Sequence, residues 1–117
     1  MNTPILYQAV QDRIITLRDQ PVLLDADVAA LYGVETKRVN EAVRNNPDKF
    51  PPGYIFKPDR QEFANLRSKF LTTSWGGTRY VPTAFTERGL YMLATILKSP
   101  VATQTTLSII EAFVPKD

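Results

Sequence analysis

Three observations place this chain of 117 residues in the α+β class. Apolar residues recur at helical spacing in five stretches, the periodicity of helices that bury one face. Short β-branched or aromatic runs, bounded by proline or glycine, lie between them and read as short strands. A single glycine, Gly33, separates the first two helical stretches, with Ala29 four residues before it and Val39 six after. Together these describe a helix-turn-helix core with short β-hairpins, winged-helix-like, and two C-terminal packing helices. The length suggests one domain over residues 1–117, large enough to bury about two-thirds of its unfolded surface in one core.

The elements follow in chain order. "DRIITLRDQPVLL" (Asp12–Leu24) predicts a hairpin in which Arg13–Arg18 pairs with Val22–Leu24 around Asp19-Gln20-Pro21, because proline fixes φ and suits a turn. Asp25 precedes Val28, Leu31 and Tyr32, an apolar stripe at i, i+3, i+4. Asp25 is placed to cap that helix, and Asp27 suits its positive end. The same two carboxylates are also a conceivable metal pair, but capping accounts for both without a ligand. Gly33 ends the helix, since only glycine adopts positive φ at low cost. Val34 follows as an apolar plug. A second helix is predicted from about Glu35 or Thr36 to Arg44 or Asn45, with Val39, Ala42 and Val43 inward.

"NNPDKFPPGY" (Asn45–Tyr54) breaks the helix with three prolines and a glycine. "YIFK" (Tyr54–Lys57) is a strand ended by Pro58. Asp59 with Glu62 three residues on is a capping box for a short helix carrying Phe63, Leu66 and Phe70. Gly76-Gly77 suits a hairpin tip within Thr72–Pro82, with "TRYV" behind it as a strand. Thr86 caps a helix reaching Lys98, with Leu90, Leu93, Ala94 and Leu97 on one face. Ser99-Pro100 restarts a last helix, from Val101 to about Val114, that buries Ala102, Ile109, Ile110 and Phe113. No internal repeat, linker or low-complexity segment is present.

Composition narrows the function. Hydrophobic residues at 44% and charged residues at 22% are close to globular averages, which sets disorder aside. No apolar run approaches the ~18–20 residues of a membrane span. The N-terminus lacks the basic and apolar regions of a signal peptide. There is no cysteine, so neither a disulfide scaffold nor a thiolate metal site is available. A cytoplasmic protein is the expectation. Histidine is absent as well, which removes the commonest general base and most transition-metal sites. No phosphate-binding or dinucleotide-binding glycine motif occurs. The expectation is therefore no enzyme, no catalytic or metal residues and no cofactor.

The net charge of +2 conceals an asymmetry. Residues 1–35 hold two basic and five acidic groups. Residues 36–79 hold nine basic and four acidic groups, net +5, and residues 80–117 hold three of each. A basic middle third points to an anionic partner, with a solvated surface as the plain alternative. The second helix of a helix-turn-helix enters the major groove with its N-terminal residues toward base edges. Arg38 matches guanine and Asn40 adenine in that role, while Thr36, Lys37 and Arg44 suit phosphates. Arg67, Lys69 and Arg79 place further positive charge on a basic arm. Glu35 and Glu41 depart from the simplest pattern. Trp75 in that arm suits either base stacking or anchoring to the core. Tyr80 and Phe85 are expected in the core. Arg88 suits a phosphate at the start of its helix, or an ordinary surface beside Glu87.

Three blocks in order, "LLDADVAALYGVETKRVNEAVRNNPDKFPPGYIFKPDRQEFANLRSKF", "GGTRYVPTAFTERGLYMLATIL" and "SIIEAF", resemble the ORF-six-N domain. This is a KilA-N-related DNA-binding domain of phage and prophage regulatory proteins. The resemblance covers about Ile5 to Val114, and its distinctive pieces are Ala30–Val34, Asn45–Phe50 and Pro82–Gly89. It implies double-stranded DNA binding, phage origin, a part in transcription regulation or antirepression, and frequent placement at the N-terminus of a longer protein. Which side chains touch bases is inferred from residue chemistry alone. The competing expectation is a protein-interaction module that captures a regulator or forms a homodimer through its apolar C-terminal helices. A nuclease built on Asp25, Asp27 and Glu62 is the weakest, since capping explains all three.

Overall fold

In the computed structural model the described residues are 3–69, 81–98 and 100–113, with 3–7, 67–69, 100 and 101 described as backbone only. The elements are α1 (Thr3–Arg13), β1 (Ile15–Leu17), β2 (Gln20–Leu24), α2 (Asp25–Tyr32), α3 (Thr36–Arg44), a 3₁₀ turn (Pro47–Lys49), β3 (Ile55–Phe56), α4 (Arg60–Lys69), β4 (Ala84–Phe85), α5 (Glu87–Leu97) and α6 (Pro100–Phe113). This is the α+β arrangement of the sequence, with one helix added. The stretch that becomes α1 was not predicted as a helix. It pairs with α6, where Val10 is fully buried and Gln11 Nε2 donates to the Ala112 carbonyl at 3.3 Å.

The four strands form one antiparallel sheet in the order β1-β2-β4-β3. The lower half of β2 pairs with β1 and the upper half with β4, through Leu23↔Phe85 and Leu24↔Ala84. Period-two alternation divides its side chains between two cores. Leu23, Phe85 and Ile55 face a cluster built with Val10, Val28, Tyr32, Val39, Leu90, Leu93 and Ile109. Val22, Leu24, Ala84 and Phe56 face a second cluster with Leu66 and Phe63 of α4. The sheet is thus covered on both sides, α4 on one and the other helices on the other. That explains why "VLL" reads as an unbroken apolar run.

The first hairpin turns at Arg18-Asp19, with φ of 53° and 63°, and not at Asp19-Gln20-Pro21. Positive φ at both central residues is the type I′ geometry that matches strand twist. Pro21 lies inside β2 opposite Thr16. In a two-residue hairpin that pair is the one without mutual hydrogen bonds, and β4 reaches only Leu23 and Leu24, so the missing N–H breaks no ladder bond. Arg18 offsets its unfavourable φ through its side chain. Its guanidinium forks onto Glu62, Nε to Oε2 at 2.8 Å and Nη2 to Oε1 at 2.9 Å, and stacks 4.2 Å above the Phe56 ring. Glu62 also completes the predicted capping box. The Asp59 N–H donates to Glu62 Oε1 and the Glu62 N–H to Asp59 Oδ1, both at 2.8 Å.

The expected strand "TRYV" and the Gly76-Gly77 tip lie mostly outside the described residues, as do Phe70, Trp75 and Tyr80. Val81 is not in a strand, and pairing begins only at Ala84. Thr86 caps α5 as predicted, accepting from the Gly89 N–H. Its N–H also donates to the Tyr54 carbonyl at 3.1 Å, and its hydroxyl lies 2.7 Å from the Gly53 carbonyl. Gly89 follows from this docking. A Cβ there would sit 2.1 Å from the Tyr54 carbonyl oxygen, so α5 reaches the Gly53–Tyr54 backbone only without a side chain at this position.

Two predictions follow from these contacts. Gly89→Ala ordinarily favours a helix, but here it is expected to lower the unfolding free energy by about 3 kcal/mol through overpacking. Gly33→Ala, in open space with φ of 73°, loses only the left-handed backbone term of about 1–2 kcal/mol. Urea titration of both variants checks the ranking, and equal losses would contradict it. For Glu62, the Arg18 hydrogen bonds hold the carboxyl at about 2, against an ordinary 4.5. A depressed carboxylate contributes stability above its ordinary value and loses it as pH falls through the folded one. Glu62→Gln should therefore flatten the stability loss between about pH 4.5 and 2, as read by unfolding at stepped pH.

Candidate nucleic-acid interface

The path from α2 into α3 is set by backbone geometry. Gly33 is left-handed at φ 73° and ψ 31°. Its N–H donates to the Ala30 carbonyl at 3.3 Å, and that of Val34 to Ala29 at 3.0 Å. These two bonds are a Schellman ending, which reverses the chain within one residue. Ala29, 3% exposed, is small enough to let the helices approach. Val34 packs on the core beside buried Val39. The sequence placed all four residues in these roles.

α3 has no side-chain cap, and Glu35 stands at its N-cap without a hydrogen bond from it. Val39 and Ala42 are buried and Val43 packs beside them. At about 100° per residue, Lys37, Glu41 and Arg44 run along the centre of the outer face. Arg38 and Asn40 lie on opposite flanks. Lys37, Arg38 and Arg44 are exposed, while Thr36, Asn40 and Glu41 are half-buried. Among the described residues the ion pairs are Arg13–Asp27 and Arg18–Glu62. None of the three α3 cations has a carboxylate partner there.

Asn40 has a different setting from the one its residue type suggested. Its Nδ2 donates to Asp25 Oδ2 at 2.8 Å and to the Thr36 carbonyl at 3.3 Å. Its Oδ1 accepts from the Thr83 hydroxyl at 3.1 Å. Both ends of the amide are engaged within the protein, which leaves Arg38 as the base-edge candidate on α3. Asp25 is not a cap either. The N-cap of α2 is Leu24, and Asp25 is the first helical residue, fully buried. Its Oδ2 also accepts from the Thr83 N–H at 3.3 Å, and its own N–H donates to the Thr83 carbonyl at 3.0 Å. Burial pushes this carboxyl up, while the Asn40 hydrogen bond opposes the shift. Asp27 pairs with Arg13 at 3.4 Å. Asp25, Asp27 and Glu62 thus have separate partners, and no group of three potential metal-binding side chains occurs among the described residues.

A depression of about 370 Å³ adjoins α3, lined by Asn40, Val43, Arg44, Lys57 and Thr83. Sequence reasoning passed over both Lys57 and Thr83. Nothing local in "YIFK" or "VPTAF" marks them, because only sheet pairing brings them beside α3. The side chains of Arg67 and Lys69, and all of Arg79, lie outside the described residues. Arg88 is exposed in the first turn of α5. With Glu87 and Tyr91 it lines a second depression of about 560 Å³.

A family model described as the ORF6N domain matches residues 12–96. No curated protein and no solved structure matches the chain.

Removing Asn40 tests the network. Asn40→Ala leaves Asp25 Oδ2 with one donor fewer and the Thr83 hydroxyl without its acceptor, a loss of about 1–3 kcal/mol. It also raises the Asp25 carboxyl further, because the opposing hydrogen bond is gone. A raised carboxyl costs stability above its folded value, and the cost is relieved as pH falls toward the ordinary aspartate range. The stability gap between wild type and variant should therefore narrow as pH falls from neutral toward the ordinary aspartate range in urea titrations. A gap that widens on acidification would contradict this.

Proposed function

We propose a function from the premise that the chain belongs to the ORF6N domain family: it is a regulatory domain of phage type that binds duplex DNA with α3 and requires no catalysis. One observation carries the reading. The outer face of the second helix in a helix-turn-helix pair presents Lys37, Arg38 and Arg44, all exposed and without carboxylate partners among the described residues. In this docking the N-terminal turn of α3 points into the major groove. Arg38 meets guanine there, and Thr36, Lys37 and Arg44 meet phosphates. Arg67, Lys69 and Arg79, whose side chains lie outside the described residues, are the further cations that the sequence assigns to phosphate contact. Transcription regulation or antirepression is the role that the family membership supports.

A second reading, capture of a regulator protein or homodimerisation, draws on a separate face. Tyr91 is 49% exposed and lies with Arg88 between two depressions.

Fluorescence anisotropy with a mixed-sequence duplex at several salt concentrations separates the two. With about five phosphates neutralised, log K should fall against log salt with a slope near −4 to −5. Arg38→Ala and Arg44→Ala should each weaken binding. A flat salt response, or indifference to both changes, would remove the DNA reading and leave the Tyr91 face as the place to seek a partner.

A further inference from the structure

The depression beside α3 holds a pair of cations that come from distant parts of the chain. We propose that Arg44 and Lys57 form a clamp for one backbone phosphate of duplex DNA, on the flank of α3 opposite Arg38. The clamp rests on the DNA-binding reading above.

Lys57 is held ready for this task. Its main-chain carbonyl accepts from Arg18 Nη2 at 3.3 Å, and buried Pro58 follows it. Its ammonium donates to the Val81 carbonyl at 3.1 Å. A lysine ammonium has three donors, so two remain for an anion. Arg44, the last residue of α3, lines the same depression. The floor adds no competing recognition, because Asn40 and Thr83 bond to each other and to Asp25. The site therefore offers charge and not a base-reading pattern. Asp25 lies behind that floor within electrostatic reach of Lys57, so its charge works against an anion and the two cations must outweigh it. The volume of about 370 Å³ accommodates a phosphate with part of its flanking sugars.

Position on the helix supports the same assignment. A helix seated in a major groove about 12 Å wide has a phosphodiester backbone along each side. Asn40 and Val43 define one flank of α3, with Arg44 between that flank and the outer face, and Arg38 defines the other flank. The depression lies on the former, so it faces one backbone while Arg38 lies on the flank toward the opposite strand.

The test is a double-mutant cycle on the intact chain, read by anisotropy with two unrelated duplexes. Lys57 is exposed, so its substitution does not threaten the fold. Lys57→Gln and Arg44→Gln are each expected to weaken binding about three- to tenfold. The loss should be equal on both duplexes, because phosphate contacts carry no base information. Lys57→Arg should retain binding. If both cations grip one phosphate, the double variant should bind about as weakly as the weaker single variant. Single losses that multiply, or wild-type binding by Lys57→Gln, would overturn the clamp. If wild type loses affinity on Arg38→Ala but ignores Lys57→Gln, DNA reading stands and the clamp falls. If wild type shows no salt-sensitive binding at all, both fall.

Discussion

One buried carboxylate holds the candidate site together. Asp25 opens α2, accepts from the middle of α3 through Asn40, and accepts from the backbone that leads into β4 through Thr83. A carboxylate with no solvent exposure is costly unless hydrogen bonds compensate it. Here two donors converge on Oδ2, and the positive end of α2 adds a favourable field. Apolar contacts such as Ala29 against α3 fix a distance but tolerate sliding. The Asp25–Asn40–Thr83 bonds are directional, and they fix how α3 is rotated. That rotation decides which side chains of α3 face outward, so the presentation of Lys37, Arg38 and Arg44 depends on a group that never reaches the surface.

The sheet extends the same constraint across the molecule. β4 is only two residues long, yet it pairs with both β2 and β3. Thr83 precedes it and Thr86 follows it. Thr83 reaches back to α2 and α3, while Thr86 ties Gly53 and Tyr54 to the start of α5. Gly89 lets that start come close enough. On the other face of the sheet, the Arg18–Glu62 fork fastens the first hairpin to α4 and holds the Lys57 carbonyl. Lys57 owes its place beside Arg44 to this second anchoring, although the two residues lie on different elements.

The legible parts of the fold were those that local chemistry determines. Gly33, Val34 and Val39 announced the turn and the second helix, because left-handed φ and helical periodicity are local properties. Asp59 with Glu62, and Thr86 before α5, announced caps for the same reason. α1 was missed because its burial depends on α6, about a hundred residues away, and its own sequence carries no strong amphipathic stripe. The turn at Arg18-Asp19 was missed because arginine does not favour positive φ, although aspartate tolerates it, and Pro21 drew the turn one residue on. The side chain that compensates Arg18 belongs to Glu62, far along the chain. Asn40 shows the limit most clearly. Residue type and helix position both suited base contact, and only the three-dimensional neighbourhood revealed partners for its whole amide. Lys57 is the converse, a cation with no motif around it that tertiary structure brings to α3.

Charge distribution gains meaning once pairing is considered. The net charge of +2 is too small to argue from. The two basic residues among the first 35, Arg13 and Arg18, both sit against carboxylates. Two of the carboxylates in the basic middle third, Asp59 and Glu62, are bound up in the α4 cap and the Arg18 fork. Pairing therefore neutralises charge away from α3 and leaves Lys37, Arg38 and Arg44 without ion-pair partners among the described residues, while Lys57 feels buried Asp25 without a direct ion pair. With a screening length of about 8 Å at physiological salt, a distant compensating carboxylate does little to cancel a local cluster. Glu41 is the carboxylate on that outer face, and an anion approaching α3 still meets a local excess of positive charge from Lys37, Arg38 and Arg44.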